Sequence, residues 1–73
     1  MVENPHHVIP PIVYRGAKEI GAAVGVPWKD VASLVSRKGL PAFKIDGYRH
    51  WLVMHVDLVE WIAHQRDEFR KTG

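Results

Sequence analysis

Apolar positions recur along this chain in different rhythms, and each rhythm predicts an element. From Gly16 the spacing is helical: Ala17, Ile20 and Val24 share a face, Glu19 stands three residues after Gly16, and Gly25 closes the run. This predicts a first helix of about two turns with Gly16 as its N-cap. Gly21 inside it lowers helix propensity by about 1 kcal/mol relative to alanine, so a neighbouring element is expected to approach closely there. A second helix is predicted over 27–38. Pro27 is tolerated in a first turn, Asp30 meets the positive end of the helix dipole, and Gly39 follows the last residue, Lys38. Steps of about 100° put Val31, Leu34 and Val35 on a packed side. Lys29, Ser33 and Ser36 fall opposite, and Trp28 and Ala32 lie on the flank between.

After "GLP" the rhythm changes. "AFKI" and "YRHWL" flank Asp46-Gly47, a strong signal for a two-residue hairpin, because a type I′ turn needs positive φ at both central residues. Such a loop sets Ile45 opposite Tyr48, Lys44 opposite Arg49 and Phe43 opposite His50. Two cations directly across a ladder repel, by something like 0.2–1 kcal/mol, unless an anion lies between them. A last helix is predicted over 56–69, with Leu58, Trp61, Ile62, Gln65 and Phe69 as its packed stripe. Its other face alternates acids and bases (Asp57, Glu60, Arg66, Asp67, Arg70), as a solvated face does. Ahead of all this, Pro5, Pro10 and Pro11 make residues 1–11 an extended arm, and "PIVYR" adds one short strand. The fold class expected is mostly α with a small β-hairpin, in one domain over 12–70 and a tail at 71–73.

Composition narrows the picture. A chain of 73 residues can bury only a modest core and has little room for a deep cleft. At 47% hydrophobic and 25% charged it has the balance of a folded domain. Without cysteine there is no disulfide framework and no thiolate metal site, which suits a reducing cytoplasm. No apolar run approaches the roughly 18 residues of a membrane span, and no secretory leader precedes the first helix, so a soluble protein with no membrane contact is expected.

The net charge of +2 is unevenly spread. Residues 26–50 hold Lys29, Arg37, Lys38, Lys44 and Arg49 against Asp30 and Asp46, a surplus of three, whereas residues 1–25 balance and residues 51–73 are short by one. A basic cluster of this kind is the electrostatic footprint of a polyanion binder, although solvated surfaces also carry such clusters. The other candidate chemistry is thin. His6 and His7 are adjacent in the arm, and His50, His55 and His64 are scattered, with no pair four apart on one helix, so no metal site is expected. Ser33 and Ser36 have no histidine at a credible spacing, and no Gly-rich phosphate loop is present, so neither catalysis nor a cofactor is expected.

The order helix, tight turn, helix, hairpin, helix, together with "AKEIGAAVGV", "VASLVSRKGLPAFKI", "GYRHW" and "DLVEWI", resembles the small excisionase and AlpA-like regulators over residues 14–66. These are winged helix-turn-helix proteins related to the DNA-binding part of the MerR group. The resemblance implies double-stranded DNA as partner, with recognition helix 27–38 in the major groove and wing 42–52 on the backbone or minor groove. On that basis Lys29 would donate to guanine O6 and N7, Ser33 would meet several bases, and Arg37, Lys44 and Arg49 would hold phosphates, with Ser36 and Lys38 completing the surface. Trp28 would cover a thymine methyl or a sugar, or else edge the core. Family members usually carry a polar residue at the position of Pro27, a basic or polar one at Trp28 and often an aromatic at Ala32, so base preference does not carry over.

The role implied is transcription regulation or accessory bending of DNA in recombination, in the cytoplasm of a bacterium or an infected host, with an integrase or neighbouring copies as protein partners. Two other expectations share the fold: DNA recognition in a phage packaging complex, as in terminase small subunits, and a pure protein-interaction module.

Overall fold

The computed structural model describes the backbone of residues 10–72 and the side chains of residues 10–71. The histidines at 6 and 7 and most of the predicted arm lie outside the described residues. Five regular elements follow: β1 (Val13–Arg15), α1 (Gly16–Val24), α2 (Val31–Lys38), β2 (Leu52–Met54) and α3 (His55–Thr72), with a 3-10 turn at Trp28–Asp30 leading into α2. The described chain is thus mostly helical, with a small antiparallel sheet. None of its helices is long and apolar enough to cross a membrane.

Five buried side chains form the core: Ile20 from α1, Val31 from α2, Leu40 from the following loop, Val53 from β2 and Leu58 from α3. Tyr14, Ala17, Val24, Leu34, Val35, Ala42, Trp51 and Trp61 pack around these five. Ile20, Val31 and Leu58 therefore point inward as their helical spacing implies. Trp51 and Trp61 sit at the edge of this core, half-buried.

The turn between α1 and α2 is tight, and Gly21 explains why. A Cβ there would lie 2.8 Å from the Val26 carbonyl oxygen and 3.2 Å from the Trp28 Cα, so the 3-10 turn rests on the α1 backbone. The N–H groups of Gly25 and Val26 both bond to the Gly21 carbonyl, at 2.7 and 2.9 Å. The close approach expected at Gly21 is thus realised by the backbone of the next element.

The sheet differs from the predicted hairpin. β1 pairs antiparallel with β2 in the register Val13↔Met54, Tyr14↔Val53, Arg15↔Leu52. On its other side Leu52 exchanges two backbone hydrogen bonds with Phe43, at 2.7 and 2.8 Å. Phe43 therefore opposes Leu52 and not His50, and neither Lys44 with Arg49 nor Ile45 with Tyr48 forms a strand pair. A turn does form at Asp46-Gly47, closed by the Tyr48 N–H on the Ile45 carbonyl at 2.9 Å. Only Gly47 has positive φ (88°), so the turn is not type I′. The physical reason for the changed register is the third segment. A lone two-stranded hairpin is marginal in water. Pairing the return segment with β1 buries Val53 completely, and the Trp51 carbonyl accepts the Gly16 N–H at 2.7 Å.

Several boundaries also move. Gly16, with φ 84°, opens α1, and Arg15 occupies the cap in extended geometry. Glu19 reaches back to the Arg15 N–H at 2.8 Å rather than to that of Gly16. Pro27 is extended (φ −61°, ψ 147°) and precedes the 3-10 turn instead of sitting in a helical first turn. α3 starts one residue earlier than predicted and runs on through Lys71 and Thr72. Of its predicted stripe, Leu58 is buried and Trp61 and Gln65 half-buried, but Ile62 is 38% and Phe69 75% exposed. Every residue from Arg66 to Lys71 is exposed.

Candidate nucleic-acid interface

α2 divides into two sides. Val31 is buried and Leu34 and Val35 half-buried, while Ala32, Ser33, Ser36, Arg37 and Lys38 are exposed. The 3-10 turn ahead of it exposes Trp28 (57%) and Lys29. Trp28 is therefore not enclosed by the core. Along this surface the outward residues are short, since Ser36 Oγ folds back to donate to the Ser33 carbonyl at 3.3 Å, and the long side chains are cations at either end. A backbone that carries small residues on its outer side can approach a flat or grooved partner closely.

The far end of α2 is anchored. Trp61 Nε1 donates to the Lys38 carbonyl at 2.9 Å, and Gly39 closes the helix with φ 72°. This tie between α3 and α2 satisfies one of the terminal carbonyls that any helix leaves open. It holds the Arg37 and Lys38 backbone against the body of the protein while their side chains stay in solvent.

Between Phe43 and Leu52 the chain projects a segment in which apolar and cationic residues alternate. Phe43, Ile45 and Tyr48 are 43, 50 and 68% exposed, and Lys44, Arg49 and His50 are exposed with them. Lys44 lies with its Nζ 4.5 Å from the centre of the Trp51 ring, a cation–π contact that draws it toward the base of the segment. Ile45, Tyr48, His50 and Leu52 join Arg15 around a cleft of about 220 Å³. Arg15, Ile45 and Tyr48 are functional candidates that the sequence analysis did not single out. The signal for Arg15 lies in the β1–β2 pairing, which brings a residue from far upstream to this segment.

The electrostatics separate the molecule. Among the described residues Arg66 pairs with Asp67 and Lys71 with Glu68, and His64 Nε2 lies 3.8 Å from a Glu68 carboxylate oxygen, all on α3. Lys29, Arg37, Lys38, Lys44 and Arg49 enter no ion pair among the described residues. A surface groove lined by Gly39, Pro41, Asp57, Glu60, Trp61, Ala63, His64 and Asp67 is acidic, so an anion has no reason to settle there. Among the described residues no group of three or more His, Asp or Glu is placed to hold a metal ion. His55 instead bonds through Nδ1 to the Tyr14 hydroxyl at 2.9 Å, across the junction of β1 and α3.

Compared with protein families, with curated proteins and with solved structures, the chain matches none of them.

Proposed function

We propose that this protein binds double-stranded DNA sequence-specifically as a small winged helix-turn-helix module of the excisionase-like or transcription-regulatory kind. α1, the tight turn and α2 act as the helix-turn-helix, and residues 42–52 act as the wing. The reading is supported above all by one observation: five exposed cations between residues 29 and 49 enter no ion pair among the described residues, while the ion pairs seen among those residues lie on α3. Cations left without protein counter-charges are what a phosphate backbone requires. In this reading Lys29 and Ser33 face base edges, with Ser36 and Trp28 beside them, and Arg37, Lys38, Lys44 and Arg49 set the register on phosphates.

The alternation of Phe43, Ile45 and Tyr48 with Lys44 and Arg49 favours the minor groove for the wing. There cations meet the enhanced negative potential and an apolar side chain can wedge against a base step. Arg15 joins that contact set.

The test is a selection for bound sequences from a random duplex pool at moderate salt, followed by titration of the enriched duplex. Enrichment of a defined motif supports the reading. No enrichment, with equal weak binding to all duplexes, leaves only a non-specific polyanion surface and overturns it.

A further inference from the structure

Between Trp28 and Ser36 the outward surface offers few groups that can hydrogen-bond to a base edge. Lys29 is its long donor, Ser36 Oγ already donates to the Ser33 carbonyl at 3.3 Å, and Ala32 has no polar side-chain atom. Asp30, the acid of this stretch, stands where α2 begins, and the helix dipole favours its charge there. Trp28 is the large side chain of the surface. It is 57% exposed and stands outside the group of residues that pack on the core. The packing of the domain therefore does not call for an indole at this position.

The backbone beneath the ring is fixed. The Trp28 Cα and N lie 3.2 and 3.3 Å from where a Cβ on Gly21 would stand, and the Asp30 N–H closes the 3-10 turn on the Pro27 carbonyl at 3.0 Å. Ala32 is exposed four residues on, along the same flank of the surface. The indole is thus carried on a rigid turn, beside a residue too small to hold a partner away.

On the DNA-binding reading proposed above, we infer that Trp28 and Ala32 form a site for the C5-methyl group of a pyrimidine. The protein then separates thymine from uracil, and 5-methylcytosine from cytosine, at one position of its duplex. Charge selects the class of partner. Lys29, Arg37 and Lys38 flank the apolar pair and enter no ion pair among the described residues, so a polyanion is drawn to this side. Chemistry selects the group. The donors and acceptors on the major-groove edges lose their hydrogen bonds to water when an indole covers them, whereas the C5 methyl has none to lose. It is the apolar feature of that groove, and 5-methylcytosine carries it at the same ring position as thymine.

Titration of the duplex selected from a random pool tests this, with each thymine replaced in turn by uracil, which removes the methyl and keeps the O4 acceptor and the pairing. At one position the expected loss is about fourfold, the worth of one apolar carbon. Because the methyl is uncharged, the ratio is expected to be the same at low and high salt. At that position 5-methylcytosine is expected to be preferred over cytosine by a similar factor, each paired with guanine. Trp28→Ala is expected to bind both members of each pair equally, and Trp28→Phe, which keeps an apolar ring, to preserve the preference. Flat ratios throughout the motif, a preference in only one of the two pairs, or discrimination that survives in Trp28→Ala would each overturn the inference. A selection that enriches no motif defeats the DNA-binding reading and this site with it, whereas an enriched motif with flat ratios defeats the site alone.

Discussion

At the scale of single residues, Gly21 carries the most specific demand. Its missing side chain lets the Val26 carbonyl and the Trp28 backbone lie where a Cβ would stand, at 2.8 and 3.2 Å, and both obstacles are backbone. Gly21→Ala gains about 1 kcal/mol of helix propensity but forces the turn away from α1, at the roughly 1–3 kcal/mol typical of overpacking. The overpacking term wins because a backbone cannot rotate out of the way as a side chain can. The expected outcome is a net loss of up to about 2 kcal/mol in urea denaturation, with an unchanged or raised stability as the overturning result. Gly47 makes the opposite demand, for conformation rather than space: φ is 88° and nothing lies within 4 Å of an added Cβ. Gly47→Ala is expected to cost about 1 kcal/mol by strain alone. The need at Gly21 was legible in the sequence as a glycine inside a helix, but its cause lay in an element five residues on.

At the scale of elements, what was legible followed from local periodicity, and what was not depended on a distant partner. α1 and α2 close at the predicted glycines, and Ile20, Val31 and Leu58 are buried as their spacing implies. The register of the segment 43–52 was not legible, because β1 decides it from nearly forty residues upstream. For the same reason Arg15 escaped notice and Lys44 was set opposite Arg49, when its ammonium instead lies over Trp51. The predicted packed stripe of α3 misled at Ile62 and Phe69, which are 38 and 75% exposed, because helical spacing groups positions on one side without saying how much of each side chain the core takes in. The exposure of Ser33 and Ser36 was legible, since an amphipathic helix that buries Val31 turns those positions outward.

Two element-level predictions follow from the anchoring of α2. Trp61→Phe keeps the ring in place but removes the hydrogen bond to the Lys38 carbonyl, a half-exposed contact worth about 0.5–1.5 kcal/mol. Thermal denaturation is expected to show a small loss of that size, and no change would mean that water replaces the indole N–H without cost. Lys29→Ala and Arg37→Ala then separate reading from positioning. Lys29→Ala is expected to relax base preference at one position, by about 1–3 kcal/mol between preferred and other bases. Arg37→Ala is expected to weaken all duplexes alike. Equal losses on selected and random duplexes for both variants would make Lys29 a phosphate contact only.

At the scale of the whole molecule, the division of charge sets how the proposed DNA binding responds to salt. The acids of α3 are engaged with its own bases or line the groove beside Gly39 and Pro41, so they do little to neutralise the cations on α2 and in residues 43–52. A small module buries only about 600–1,000 Å² on DNA, which leaves phosphate contacts a large share of the binding free energy. With about four phosphates neutralised, log K falls against log salt with a slope near −3.6, so a change from about 50 to 200 mM salt weakens binding about 150-fold. Replacing both Arg37 and Arg49 by alanine removes two of those contacts and should halve the slope to about −1.8, leaving only about a 12-fold loss over the same range. The change in slope is the informative quantity, because a variant that merely unfolds part of the protein lowers affinity without halving its dependence on salt. Titration of one duplex at four or five salt concentrations, for both proteins, gives the two slopes. Parallel lines for the two proteins would show that Arg37 and Arg49 do not meet phosphate and would remove them from the interface.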